Sequence, residues 1–154
     1  MLNDSADREM VIERVIHAPR ELVFRAFTEP EHIKHWWGPN GFTNTIHEME
    51  VRPGGVWRFI MHGPDGTDYP NKIVYVEVLP PERLVYEHSG DRGDGPVHFR
   101  STVTLEAIDG KTKVTLRVLF PTADDFRRAM DFGAVEGGQQ TLARLDEYVK
   151  RMAA

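Results

Sequence analysis

Tyr86 and His88 are the residues of this chain best placed to do chemistry. They stand two apart in a short apolar segment, so on an extended strand both point to the same face. A phenol and an imidazole on one wall could orient a ligand's oxygen; in an enzyme, His88, Tyr86 or Glu77 would serve as acid or base. The plainer role for such a histidine is a satisfied position in the core. His32 and His35 are three apart on a short helix, the spacing of a metal pair, but no third ligand accompanies them. His47-Glu48-Met49-Glu50 is not the zinc-protease pattern. Gly63-Pro64-Asp65-Gly66-Thr67-Asp68 is too short for a calcium loop and reads as a hairpin turn. Arg92-Gly93-Asp94 reads as a loop coincidence. No nucleophile is paired with a base. Neither a catalytic residue, nor a metal ligand, nor a cofactor is therefore assigned, and an enzyme is the second choice rather than the first.

The bulk properties narrow the classes further. A chain of 154 residues is long enough to bury a core without disulfides or metal, and 40% hydrophobic with 28% charged residues describes an ordinary globular composition. A net charge of −5 argues against a nucleic-acid binder, which needs a basic face to neutralise phosphates. With no cysteine, thiol catalysis and a disulfide scaffold are excluded. The polar start, Met1 to Glu9, is not a signal peptide, and no apolar stretch reaches the length of a membrane span. A cytoplasmic protein without membrane insertion is expected, with a flexible tail at 1–8 and a single domain at 9–152.

The elements that must position Tyr86 and His88 follow from periodicity. Residues 10–17 are rich in β-branched side chains and predict a strand. Pro19 suits the first turn of a helix carrying Leu22, Val23, Ala26 and Phe27 on one side; Pro30 opens a second short helix, stopped by Gly38-Pro39. Six strands are predicted next, at 42–51, 56–62, 71–79, 83–89, 97–108 and 111–120. Pro80-Pro81 ends the third of these, a polar glycine-rich loop at 90–96 precedes the fifth, and Asp109-Gly110 signals a type I′ hairpin before the sixth. Short connections imply an antiparallel meander. Alternation puts Trp57, Phe59 and Met61 on one face, with Leu84, Tyr86 and His88, then Phe99, Ser101, Val103 and Leu105, and finally Val114, Leu116, Val118 and Phe120.

A long helix over 123–152 is expected to cover that face. Its predicted inward stripe runs Phe126, Met130, Gly133, Ala134, Gly137, Thr141, Leu145, Tyr148, Met152, with Asp125, Arg128, Glu136, Gln139, Asp146 and Lys150 facing away. Gly133, Gly137 and Gly138 would together cost roughly 3 kcal/mol of helix propensity. Close helix–sheet approach offsets such a cost, and so does room for a ligand beneath the helix. Phe132 and Val135 fall off the stripe, where a covering loop, a partner or a homodimer contact would account for them.

These segments resemble the START-like, or SRPBCC, superfamily, and within it the activator of Hsp90 ATPase homologue 1-like branch. The likeness is carried by Ala18-Pro19 with Val23-Phe24, Trp36-Trp37-Gly38-Pro39, Arg52-Pro53-Gly54-Gly55-Val56-Trp57, Pro80-Pro81-Glu82-Arg83-Leu84 and the glycine-bearing final helix, spanning about Glu9 to Tyr148. It implies an α+β helix-grip fold: a curved antiparallel sheet of seven strands around a long C-terminal helix, enclosing a deep cavity. It also implies binding of lipids, sterols, polyketides or other hydrophobic small molecules, with cyclisation or hydrolysis in a few members. The co-chaperones that name the branch carry a further chaperone-binding domain for which this chain has no room, so a chaperone partner is not expected.

The expected ligand contacts are Trp36 and Trp37, one of them core and the other at the cavity mouth, and Trp57, Phe59, Met61, Tyr86, His88, Phe99 and Phe120 on the sheet. Met130, Gly133 and Gly137 would complete them from the helix. Met61 and Met130 would adapt to a filled or an empty pocket. A ligand-sized void of ~300 Å³ left empty would cost ~7 kcal/mol, so it should hold water or a ligand.

Overall fold

Seven strands form one antiparallel sheet because each apolar alternation is followed by a turn too short for a crossover. The computed structural model describes residues 7–90 and 98–153. Most of the expected tail, the Arg92-Gly93-Asp94 run and Val97 lie outside the described residues. The strands are β1 (Glu9–Ile16), β2 (Thr43–Met49), β3 (Val56–His62), β4 (Asp68–Leu79), β5 (Arg83–Gly90), β6 (Phe99–Ile108) and β7 (Lys111–Leu119). Their spatial order is β1-β7-β6-β5-β4-β3-β2, so only β1 leaves the meander, crossing to pair with β7. β4 begins three residues earlier than the pattern predicts, since Asp68, Tyr69 and Pro70 continue the ladder with β3. Asp109 and Gly110 both take positive φ (49° and 79°), as the β6–β7 hairpin requires. Arg8 is tied to the sheet: its carbonyl accepts from the Phe120 N–H at 2.9 Å, and its guanidinium donates to the Phe120 carbonyl at 2.8 Å.

Between β1 and β2 the chain makes α1 (Arg20–Thr28) and the single turn α2 (Pro30–Ile33). Val23, Phe24, Ala26 and Phe27 bury one face of α1, the spacing its sequence dictates. Cross-strand ion pairs such as Arg58–Glu48, Arg100–Glu87 and Arg117–Glu9 occupy the other, wet face of the sheet. This is the α+β helix-grip fold.

The final helix departs from expectation. It is two helices, α3 (Ala123–Asp131) and α4 (Ala134–Ala153), separated at Phe132–Gly133. Gly133 has φ +83°, a left-handed conformation that stops α3 and that any other residue would adopt only with strain. Gly133 is thus a break, not a residue of helix interior. The break also resets the helical phase. On α4 the buried side chains are Leu142, Leu145, Asp146 and Val149, so Asp146, expected to face away, is inside. Gly138 is the packing glycine: a Cβ there would come within 2.5 Å of Ile12 Cδ1 on β1. A methyl on Gly138 would therefore have to displace the end of the Ile12 side chain, which now occupies that space.

Candidate functional site

The lining of one cavity, of about 330 Å³, is shared by the sheet, the loop after α2 and the start of α4. Its floor comes from β5, β6 and β7, through Tyr86, His88, Phe99, Ser101, Leu116 and Val118. Trp36, Trp37, Gly38 and Pro39 close one side, and Phe132, Gly133, Ala134, Gly137 and Gly138 with Thr141 and Leu142 form the roof. The roof is shallow at Gly137, where a Cβ would meet only Pro39 Cγ at 3.5 Å. Missing side chains at this end of α4 leave the space that the rest of the helix fills.

The tryptophans divide the work. Trp36 is core: its indole N–H donates to the Ala26 carbonyl at 3.1 Å, and its ring meets Phe27 edge-on at 4.9 Å. Trp37 is partly buried and stands edge-on to Trp57 at 5.0 Å, with Tyr86 at 6.4 Å. Trp57 stacks on Phe59 at 4.1 Å. Trp57 and Phe59, expected as contacts, are not on the lining. They form the aromatic backing of Trp37. Phe120 and Met130 are likewise off it, in an adjoining apolar cluster with Met10 and Phe126 that shares Val118 with the floor. The other expected residues (Trp36, Trp37, Met61, Tyr86, His88, Phe99, Gly133 and Gly137) all border the cavity.

Among the described residues two titratable side chains reach the lining, both on β5. Burial, with a smaller contribution from His98, pushes the His88 imidazole down to about 4, so the ring is neutral near neutral pH. His88 Nε2 lies 2.5 Å from Asn71 Oδ1, and its ring meets Phe99 edge-on at 4.6 Å. Burial pushes the Tyr86 hydroxyl well up, and a hydrogen bond from Ser101, its cross-strand neighbour, offsets part of that. Glu77, the third acid–base candidate, is off the lining and paired with Arg83. His32 accepts or donates to the Tyr148 hydroxyl at 2.8 Å, and His35 stacks on the Tyr148 ring at 5.6 Å. Among the described residues no three His, Cys, Asp or Glu side chains come together to hold a metal ion.

Arg144, which no sequence pattern singles out, holds the tryptophan loop to α4. Its Nη1 donates to the carbonyls of Gly38 and Pro39 at 2.8 Å each, and its Nη2 to those of Phe42 at 3.0 Å and His35 at 3.2 Å. The Asn40 N–H adds a bond to Gln140 Oε1 at 3.1 Å.

Residues 17–150 match the model of the family described as Activator of Hsp90 ATPase homolog 1-like protein. The chain belongs to that family. Solved structures agree with the membership. A Nitrosomonas europaea protein is 26% identical, covering 96% of this chain and 97% of its own, with a TM-score of 0.85. An Arthrobacter aurescens protein, 21% identical over 97% of this chain and 90% of its own, shares the fold with a TM-score of 0.87. No curated protein matches significantly. Among the described residues no helix is long and apolar enough to cross a membrane.

Proposed function

We propose that this member of the activator of Hsp90 ATPase homologue 1-like family binds an apolar or aromatic small molecule, lipid- or polyketide-like, in the cavity under α4. The supporting observation is the cavity itself: about 330 Å³ walled by aromatic and aliphatic side chains, with polar groups on β5, β6 and α4. Sealed and dry, a space of that size would cost up to about 8 kcal/mol, so water or a ligand fills it. An occupant therefore contributes to stability as well as to function. The binding unit is residues 9–152, acting without a cofactor as a cytoplasmic carrier or sensor.

Mass spectrometry of the purified protein, native and then solvent-extracted, tests this. A stoichiometric bound molecule of apolar character is expected, and its removal should lower the Tm. A protein that arrives clean and whose Tm is unmoved by a panel of hydrophobic ligands would overturn it.

Phe132, 90% exposed beside the cavity mouth, supports a second role as a contact for a protein partner or a second copy. Sedimentation of the wild type against Phe132→Ser measures it: a dimer lost in the variant supports that contact, and a monomer in both removes self-association.

A further inference from the structure

Resting on the cavity as ligand site, we propose that it selects an uncharged aromatic molecule whose hydroxyl donates a hydrogen bond to Nδ1 of His88, and that it turns away carboxylic acids of the same shape.

The tautomer of His88 is set from behind. Asn71 Nδ2 donates to the carbonyl of Tyr69 at 2.7 Å, which leaves Oδ1 as the atom 2.5 Å from His88 Nε2. An amide oxygen only accepts, so Nε2 carries the proton and Nδ1 keeps its lone pair. Nδ1 has no protein partner among the described residues, and the ring borders the cavity. Among the described lining side chains it is the acceptor that carries no proton of its own, beside the hydroxyls of Tyr86, Ser101 and Thr141.

Charge is missing from the same wall. Among the described lining residues there is no Asp, Glu, Lys or Arg. A carboxylate entering would lose its water with no cation to replace it. Arg144 is committed to backbone carbonyls of the tryptophan loop. His88 could serve as counter-ion only if protonated, and burial holds it neutral.

The neighbouring hydroxyls complete the match. Tyr86 faces Ser101 across the β5–β6 ladder, and burial keeps the phenol protonated. The Tyr86 hydroxyl accepts from Ser101 and keeps its own proton to donate, while Nδ1 only accepts. A ligand hydroxyl does both, a ketone or ether only accepts, and a hydrocarbon does neither. The edges and faces of Trp37 and Phe99 favour a flat aromatic body.

Calorimetry with a naphthol, the matching naphthoate and the matching methylnaphthalene, all at neutral pH, reads each part separately. The naphthol should bind roughly tenfold tighter than the methylnaphthalene, and the naphthoate at least about a hundredfold weaker than the naphthol. In His88→Phe the naphthol should fall to the level of the methylnaphthalene, whose own affinity is kept. Should His88→Phe lose the hydrocarbon too, Asn71→Asp decides. A carboxylate beside Nε2 favours the imidazolium, so the naphthoate should gain affinity and the naphthol lose its lead. A naphthoate that binds wild type as well as the naphthol, a naphthol lead that survives His88→Phe, or an Asn71→Asp variant with unchanged preferences overturns this selectivity while leaving the cavity as the site. Failure of all three probes on folded wild-type protein overturns the cavity site and the selectivity together.

Discussion

The guanidinium of Arg144 on α4 donates to the carbonyl oxygen of Gly38, 2.8 Å away, in the turn that carries both cavity tryptophans. No carboxylate lies within ion-pair distance of it among the described residues; a half-buried charge is spent on neutral carbonyls, and burial lowers its pKa. Arg144→Ala should therefore cost about 2 kcal/mol and lower the Tm by roughly 4–8 °C. Hydrogen exchange should speed up at residues 35–42 and stay slow in β7. Arg144→Lys should not restore the wild type, because a single ammonium cannot fork across several carbonyls.

The sheet was legible and the end of the roof was not. Alternation in β3, β5, β6 and β7 named the inward residues, and Tyr86, His88 and Phe99 do share a wall. Periodicity cannot see depth, however. Trp57 and Phe59 have the right parity for the cavity yet sit behind Trp37, and Phe120 lies past the end of β7 in another cluster. A single helix drawn through 123–152 carried the phase of α3 into α4. The left-handed Gly133 interrupts that phase, which is why Leu142, Asp146 and Val149 were missed as buried. A glycine one residue after an exposed phenylalanine was the available signal for a stop. Nothing in the pattern pointed to Arg144, whose partners are backbone atoms about a hundred residues away.

Gly137 and Gly138 should respond differently to alanine. At Gly137 the new methyl makes ordinary contact with Pro39, so Gly137→Ala gains helix propensity of up to about 1 kcal/mol. At Gly138 it would meet Ile12 Cδ1 at 2.5 Å; Ile12 is buried, so turning its terminal methyl aside costs about 1 kcal/mol or more and cancels or outweighs the same gain. Ile12→Val removes that Cδ1. Chemical denaturation should show Gly138→Ala no more stable than the wild type and the pair Gly138→Ala/Ile12→Val more stable than the two single effects sum to.

His88 makes the fold pH-sensitive. Its folded pKa, about 4, lies below the unfolded value of 6.5, so the unfolded chain binds the proton first as pH falls. The stability owed to the neutral ring is complete above about pH 6.5, erodes as pH drops toward 4, and levels off below it. A shift of that size corresponds to a loss on the order of 3 kcal/mol. Urea denaturation at several pH values should show this slope in wild type and a shallower one in His88→Phe.

Asp146 acts in a lower window. Burial alone would raise its carboxyl, but the His17 backbone N–H at 3.0 Å and the His17 ring at 3.2 Å outweigh that, and the net shift is downward. Its contribution is present above the ordinary carboxylate range and is lost as pH falls through the depressed folded value. Asp146→Ala should cost about 2 kcal/mol at neutral pH, by orphaning the His17 N–H and uncoupling β1 from α4. Asp146→Asn keeps an acceptor for that N–H and should cost less.

Filling the roof separates a cavity ligand from one held elsewhere. Gly137 borders the cavity and has no steric need to be glycine beyond the contact with Pro39. Gly137→Leu gains roughly 0.8 kcal/mol of helix propensity and adds apolar contacts where space now stands. The ligand-free variant should therefore melt above the ligand-free wild type. The same side chain removes room that a ligand needs, so the Tm increase that ligand gives the wild type should vanish in the variant. A stabilised protein that has lost its ligand response is the signature of a site kept open at the expense of stability. If the ligand response survives Gly137→Leu, the ligand is bound elsewhere on the molecule, and the short roof of α4 is there for packing against Pro39.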